Sequence, residues 1–185
     1  HLFSDEVYRY LEHGAPRLAA AADCSERAIS LGVMSKAFGC AGLRIGWIAT
    51  RDAALRQRLA SLKDYTTICS SAPSEVLALI ALRARDKVLA RTLEIVRSNL
   101  ALLDDFFARN ANRFEWVRPR AGTVGFPRLL GRNVDEFAAS LVEREGVLIL
   151  PASRFGYPGN HFRLGFGRRD MTEGLTRMER FAAEG

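Results

Sequence analysis

The 185-residue sequence predicts an α/β domain with a mostly parallel sheet, followed by a smaller α+β unit. Three observations carry this. Short apolar strands at 2–4, 28–31 and 44–49 are separated by long connections, which suits parallel pairing better than hairpins. Leu89, Leu93, Val96, Leu100, Leu103 and Phe107 then fall on one helical stripe, the clearest amphipathic signal in the chain. Beyond that stripe the rhythm changes to short strands alternating with two capped helices.

Composition bounds the function classes. With 48% hydrophobic and 26% charged residues, the chain is globular in character and can hold one core or parts of two. No uncharged apolar run reaches the about 18 residues that a membrane helix needs, and no signal segment opens the chain. It begins at His1 inside an apolar segment, which fits a fragment or a processed product. Cys24, Cys40 and Cys69 lack metal-ligand spacing and fit a reducing, cytoplasmic compartment. The net charge of +6 and pI near 9.7 are spread over scattered arginines that alternate with acids. No basic block with interleaved aromatics appears, so a solvated basic surface is favoured over a nucleic-acid partner.

Taken in order, Leu2-Phe3-Ser4 reads as the end of a buried strand, with Asp5 at its C-terminal end. Glu6 to Leu11 reads as a short helical turn, and 13–26 as a surface loop. Strands follow at Ala28–Leu31 and Arg44–Ala49. Asp52 caps a helix carrying Leu55, Leu59 and Leu62. The polar loop Thr66–Ser71 leads to a helix whose Val76, Leu77, Leu79, Ile80 and Leu82 surround it, predicting deep burial. One long or kinked helix over 74–110 then bridges two domains. Strands are expected at 114–117, 123–126, 147–150 and 161–166. Asn133 with Glu136 starts a helix stopped by Gly146, and Asp170 with Glu173 starts the last, which carries Leu175, Met178 and Phe181.

The chemistry centres on Ser30–Trp47, SLGVMSKAFGCAGLRIGW. The chain has 24 arginines and only three lysines, one of which, Lys36, lies here among Met34, Ala37 and Phe38. Those neighbours predict a confined lysine, and only lysine readily gives up its proton to become a nucleophile for imine chemistry. In parallel sheets ligands collect at the C-terminal strand ends, where Asp5 and the Lys36 loop both fall.

Three segments in this order, SDEVY at 4–8, SKAFGCAGLRIGW at 35–47 and FRLGFG at 162–167, resemble the class I/II aminotransferases, fold-type I enzymes dependent on pyridoxal 5'-phosphate. The resemblance covers essentially the whole chain as the second half of such an enzyme. It implies that residues 1–85 are the C-terminal part of the large cofactor-binding domain. A long helix would join them to a small α+β domain at 86–185. It further implies that Lys36 holds the cofactor as a Schiff base and shuttles a proton. Asp5 pairs with the pyridine nitrogen, and Tyr8 hydrogen-bonds the ring oxygen. Ser35 and Arg44 anchor the phosphate, and Arg163 clamps the substrate carboxylate through two parallel hydrogen bonds. Two positions depart from the family pattern: Val33 stands where many relatives have a second phosphate-binding serine, and Ala152 where relatives often have glycine.

The implied activity is transfer of an amino group between an amino acid and a 2-oxo acid, by a homodimer. Apart from the resemblance, the polar loop Thr66–Ser71 is the segment expected to face the partner. Two alternatives remain open. One is another pyridoxal-phosphate reaction on the same scaffold, as in a lyase, cyclase or decarboxylase. The other is the aminotransferase-like effector domain of a transcription regulator.

Overall fold

The structure, a computed structural model, describes residues 1–183. They form two compact units, 1–92 and the described residues from 93 on, and the division falls inside a helix.

The first unit is built on a three-stranded sheet in the order β1 (Leu2–Asp5), β2 (Ala28–Val33), β3 (Gly46–Ala49). β1 and β2 run parallel, with Asp5 opposite Leu31. β3 departs from the parallel expectation: it pairs antiparallel with β2, Val33 opposite Gly46. The intervening loop has only a 3-10 turn at Ala41–Leu43 and no crossover helix, so the chain comes back beside β2 in the opposite sense. Leu2 and Phe3 are exposed rather than buried, at 60% and 56%, because β1 is an edge strand covered by little else in this unit. The 13–26 segment is not all loop, since Ala21–Cys24 forms a short helix, α1.

α2 (Ala53–Thr66) starts as predicted, with Asp52 accepting the Leu55 N–H at 2.9 Å. The predicted 74–110 helix is two, α3 (Ala72–Arg83) and α4 (Arg85–Arg109), broken at Ala84. α3 overturns the expectation of burial. Ala78 is its one buried residue, while Val76, Leu77, Leu79 and Ile80 are about half exposed. Its sequence specifies apolar surface all round, but the described residues of this unit supply cover on one side alone, where it packs on the 3-10 turn.

The second unit closes on the predicted stripe of α4. Val96, Leu100, Leu103 and Phe107 are buried, joined by Phe106. They pack with Phe137 and Leu141 of α5 (Val134–Glu145) and with Leu175, Met178 and Phe181 of α6 (Met171–Ala183). Asn133 accepts the N–H groups of Asp135 and Glu136, and Gly146 ends α5 in the left-handed conformation at φ 65°. Two small antiparallel sheets complete the unit. One pairs β4 (Phe114–Glu115) with β6 (Arg128–Leu129), and the other orders β5 (Val124–Gly125), β8 (Phe162–Gly165) and β7 (Leu150–Pro151). Trp116 stacks on Phe107 at 4.6 Å and donates its indole N–H to Asp104. Each buried phenylalanine is worth about 1.5–3 kcal/mol, against about 0–1 for an exposed ion pair such as Arg109–Glu179, so the core rather than the charged surface holds the unit.

Two polar ties matter beyond this core. Buried Asn99 donates to the carbonyls of Phe166 (2.9 Å) and Arg168 (2.5 Å), fixing the chain after β8 against α4. Asn99→Ala removes both hydrogen bonds from a buried position and is expected to cost about 1–3 kcal/mol in chemical denaturation, and an unchanged midpoint would refute the tie.

In the first unit, the Glu6 carboxylate accepts the Ser30 hydroxyl at 2.7 Å and the Ala21 N–H at 2.8 Å. Burial pushes this carboxyl up, but hydrogen bonds from Ala21, Ser30 and Ser4, with the Arg9 charge, outweigh it and hold Glu6 below the usual range. The stability this adds is complete above the unfolded carboxylate value of about 4.3 and is lost as pH falls through the folded one. The stability gap between the protein and Glu6→Gln, followed by denaturation against pH, should therefore be widest near neutrality and close in acid. A gap independent of pH would remove Glu6 from this role.

Candidate active site

The candidate residues of the first unit lie on the turn after β1 and the loop after β2. Asp5 ends β1, exposed, with its Oδ1 accepting the Val7 N–H at 3.2 Å. The chain then turns through Glu6 N–H to Leu31 O, Arg9 N–H to Glu6 O and Leu11 N–H to Tyr8 O. Tyr10 completes the reversal at φ 78°, an uncommon angle for a residue with a side chain, and Leu11 is fully buried beneath it. This holds half-buried Tyr8 on the turn.

The lysine loop is closed by its own backbone. Met34 N–H reaches Ile45 O at 3.0 Å, Cys40 N–H reaches Met34 O at 2.9 Å, and Gly39 N–H reaches Lys36 O at 3.0 Å. Gly39 sits at φ 63°, where its lack of a Cβ is needed. Met34, Ala37 and Phe38 are buried to 4% exposure or less. They occupy the interior, and Lys36 between them is exposed. The expected confinement of Lys36 is therefore not present in this unit: the hydrophobic neighbours are the anchor, and the amine is what they present. Lys36 Nζ lies 5.8 Å from the Tyr8 ring centroid, so these two predicted residues do come together.

Ser35 and Arg44 also meet. Arg44 Nη1 donates to Ser35 Oγ at 3.4 Å and to Ala41 O at 2.9 Å. Arg44 itself adopts the left-handed conformation at φ 56°, turning the chain into β3. A hydroxyl beside a forked cation is a donor set suited to phosphate oxygens. Arg163 lies in the second unit, on the outward face of β8 between buried Phe162 and Leu164.

Some features were not evident in the sequence. Glu6 binds the Asp5–Tyr8 turn to α1 and β2, yet a glutamate before a valine carries no signal of that. Trp47 lies opposite Gly32, and a Cβ on Gly32 would come within 2.3 Å of the indole. In the second unit Phe126, Tyr157 and His161 form a contacting group; the alternation in TVGFP was its one trace.

The profile of the family described as aminotransferase class I and II matches residues 1–177. Capreomycidine synthase of Streptomyces vinaceus is 31% identical over 178 residues, covering 94% of this chain and 45% of that protein. A PLP-dependent aminotransferase from Streptococcus suis 89-1591 superposes with a TM-score of 0.90 at 27% identity, over 98% of this chain and 48% of its own. The PLP-dependent cyclase OrfR superposes with a TM-score of 0.88 at 30% identity, over 99% and 50%. The chain thus spans about half the length of the relatives it matches. A match over nearly all of its residues settles its kinship: the protein belongs to the class I and II aminotransferase family.

Proposed function

We propose that the protein acts as a pyridoxal 5'-phosphate-dependent aminotransferase, exchanging an amino group between an amino acid and a 2-oxo acid. The observation that carries this is Lys36 Nζ beside the Tyr8 ring, on the loop that also holds the Ser35–Arg44 pair. The side-chain chemistry fits the cofactor group by group. Asp5 offers an exposed carboxylate for a ring nitrogen, Tyr8 a phenol for a ring oxygen and Lys36 an amine for an aldehyde. Ser35 and Arg44 offer a hydroxyl and a guanidinium for phosphate. When bound, pyridoxal phosphate supplies an electron sink for a carbanion at the substrate's α-carbon.

The chain's own residues would do the rest. Asp5 would keep a proton on the ring nitrogen by its negative charge. Lys36 Nζ would hold the cofactor covalently, and then carry a proton to and from the α-carbon. Arg163 would orient the substrate by gripping its carboxylate with both arms of the fork. The family membership supports reading 1–85 as the C-terminal part of a large cofactor domain with a mostly parallel sheet. It likewise supports 86–185 as a small α+β domain joined through the long helix α4. Exposed Tyr65 and Ile68, at 90% and 76%, support a homodimer contact around residues 66–71. Three free cysteines support a cytoplasmic setting, and no described helix is long and apolar enough to cross a membrane.

A second reading, a cyclase on the same scaffold, is favoured by the likeness to the PLP-dependent cyclase OrfR. Incubating the intact protein with amino acids and 2-oxoglutarate separates the two. Glutamate formation supports transfer; its absence with every amino acid, alongside another released product, overturns it.

Two variants test the roles. Lys36→Ala is expected to lower turnover by at least about 10²–10⁴-fold and to abolish the imine absorbance on adding pyridoxal phosphate. Spectra identical to those of the unaltered protein would exclude Lys36. Arg163→Lys should raise KM for amino acids by about tenfold or more, since a point charge cannot replace the bidentate fork, and an unmoved KM would take Arg163 out of the site.

A further inference from the structure

The face of β8 that carries Arg163 also carries an aromatic group. Phe162 and Leu164 point into the core, so alternation sends His161, Arg163 and Gly165 to the other face. Leu150 of β7 pairs directly with Arg163 and flanks it there. On the opposite side, Val124 of β5 pairs with Gly165, and Phe126, two residues on, shares its face. The Phe126 ring stacks on His161, with centroids 5.1 Å apart and planes at 13°. Tyr157 meets both rings edge-on, at 5.6 Å from Phe126 and 5.2 Å from His161.

This group is closely fitted yet open to solvent. A Cβ at Gly159 would come within 2.3 Å of the Tyr157 ring and 2.7 Å of His161 Nδ1, so glycine there lets the rings seat. His161 Nδ1 is buried without a hydrogen-bond partner, so ring contacts hold the imidazole at the cost of an unpaired nitrogen. Phe126 and Tyr157 nevertheless remain 41% and 47% exposed. Residues two apart on a strand lie about 6–7 Å apart, a spacing that matches the carboxylate-to-side-chain distance within one amino acid.

Resting on the reading in which Arg163 grips the substrate carboxylate, we propose that Phe126, Tyr157 and His161 form the subsite for the substrate's side chain. They select an amino acid whose side chain ends in an aromatic ring. Offset and edge-to-face ring contacts each favour such a substrate by about two- to tenfold over an aliphatic one.

The test uses a ligand that cannot react. 3-Phenylpropionate has the carboxylate and the ring without an amine, and propionate lacks the ring. By calorimetry, the intact protein should bind 3-phenylpropionate at least tenfold more tightly than propionate. Phe126→Ala and Tyr157→Ala, both at exposed positions, should cut that preference about threefold to tenfold. Val117→Ala, on an exposed residue outside this face, should leave it unmoved. In turnover, the ratio of kcat/KM for L-phenylalanine over L-alanine should fall in the same two variants. A preference absent from the unaltered protein, or unmoved by both variants, overturns the subsite. Ring-dependent binding without any amino-group transfer would overturn the aminotransferase reading and keep the subsite. Transfer with selectivity untouched by either variant would do the reverse.

Discussion

The lysine loop depends on three buried side chains. Met34, Ala37 and Phe38 leave almost no surface to solvent, and Lys36 is exposed because its neighbours are not. Deleting the anchor would cost more than deleting the amine: truncating a buried phenylalanine or methionine costs about 2–5 kcal/mol, whereas changing an exposed side chain costs within about 0.5. The loop is thus held by packing at positions 34, 37 and 38 and by three backbone hydrogen bonds, which leaves Lys36 at the surface. Phe38 extends the anchor, meeting Trp47 edge-on at 6.3 Å and Tyr10 at 6.1 Å, so the turn after β1 and the loop after β2 share one aromatic contact set.

Charge sharpens that arrangement. Glu6 sits one residue after Asp5, and the two carboxylates have opposite assignments. Glu6 turns inward, with its Oε1 accepting from both Ser30 and Ala21. Asp5 turns outward, with a single backbone N–H at 3.2 Å and solvent around it. Strand alternation explains the division: consecutive residues at the end of β1 point to opposite sides. One carboxylate is satisfied and fixes the turn. The other keeps acceptor capacity for a ligand.

Local signals were the legible ones. Asp52, Asn133 and Gly146 act where their chemistry predicts, because a cap is decided by a few adjacent residues. The Leu89–Phe107 stripe was equally clear, since apolar residues recurring every 3.6 positions over many turns suit a helix face and little else. The order of the motif residues made them candidates, and of these Lys36 lies near Tyr8 and Arg44 near Ser35. What failed was burial. Leu2, Phe3 and most of α3 are as apolar as core residues, but exposure depends on which surfaces meet them, and hydrophobicity does not name its partner. The antiparallel β3 was missed for a related reason: loop composition does not encode the direction in which the chain returns.

β8 shows how one strand serves two demands. Its inward residues, Phe162 and Leu164, belong to the same core as Phe106, Phe137 and Phe181, so the strand's position is fixed by large rings on one face. The outward residues inherit that rigidity without contributing to it. Arg163 spends no conformational freedom on backbone adjustment, and the His161–Phe126 stack stands on a register set by Val124 opposite Gly165 and Leu150 opposite Arg163. A one-residue slip would exchange the two faces, burying a guanidinium and exposing two core side chains, at a cost of several kcal/mol for the charge alone. The core therefore enforces the orientation of Arg163 far more strongly than any contact the arginine makes for itself.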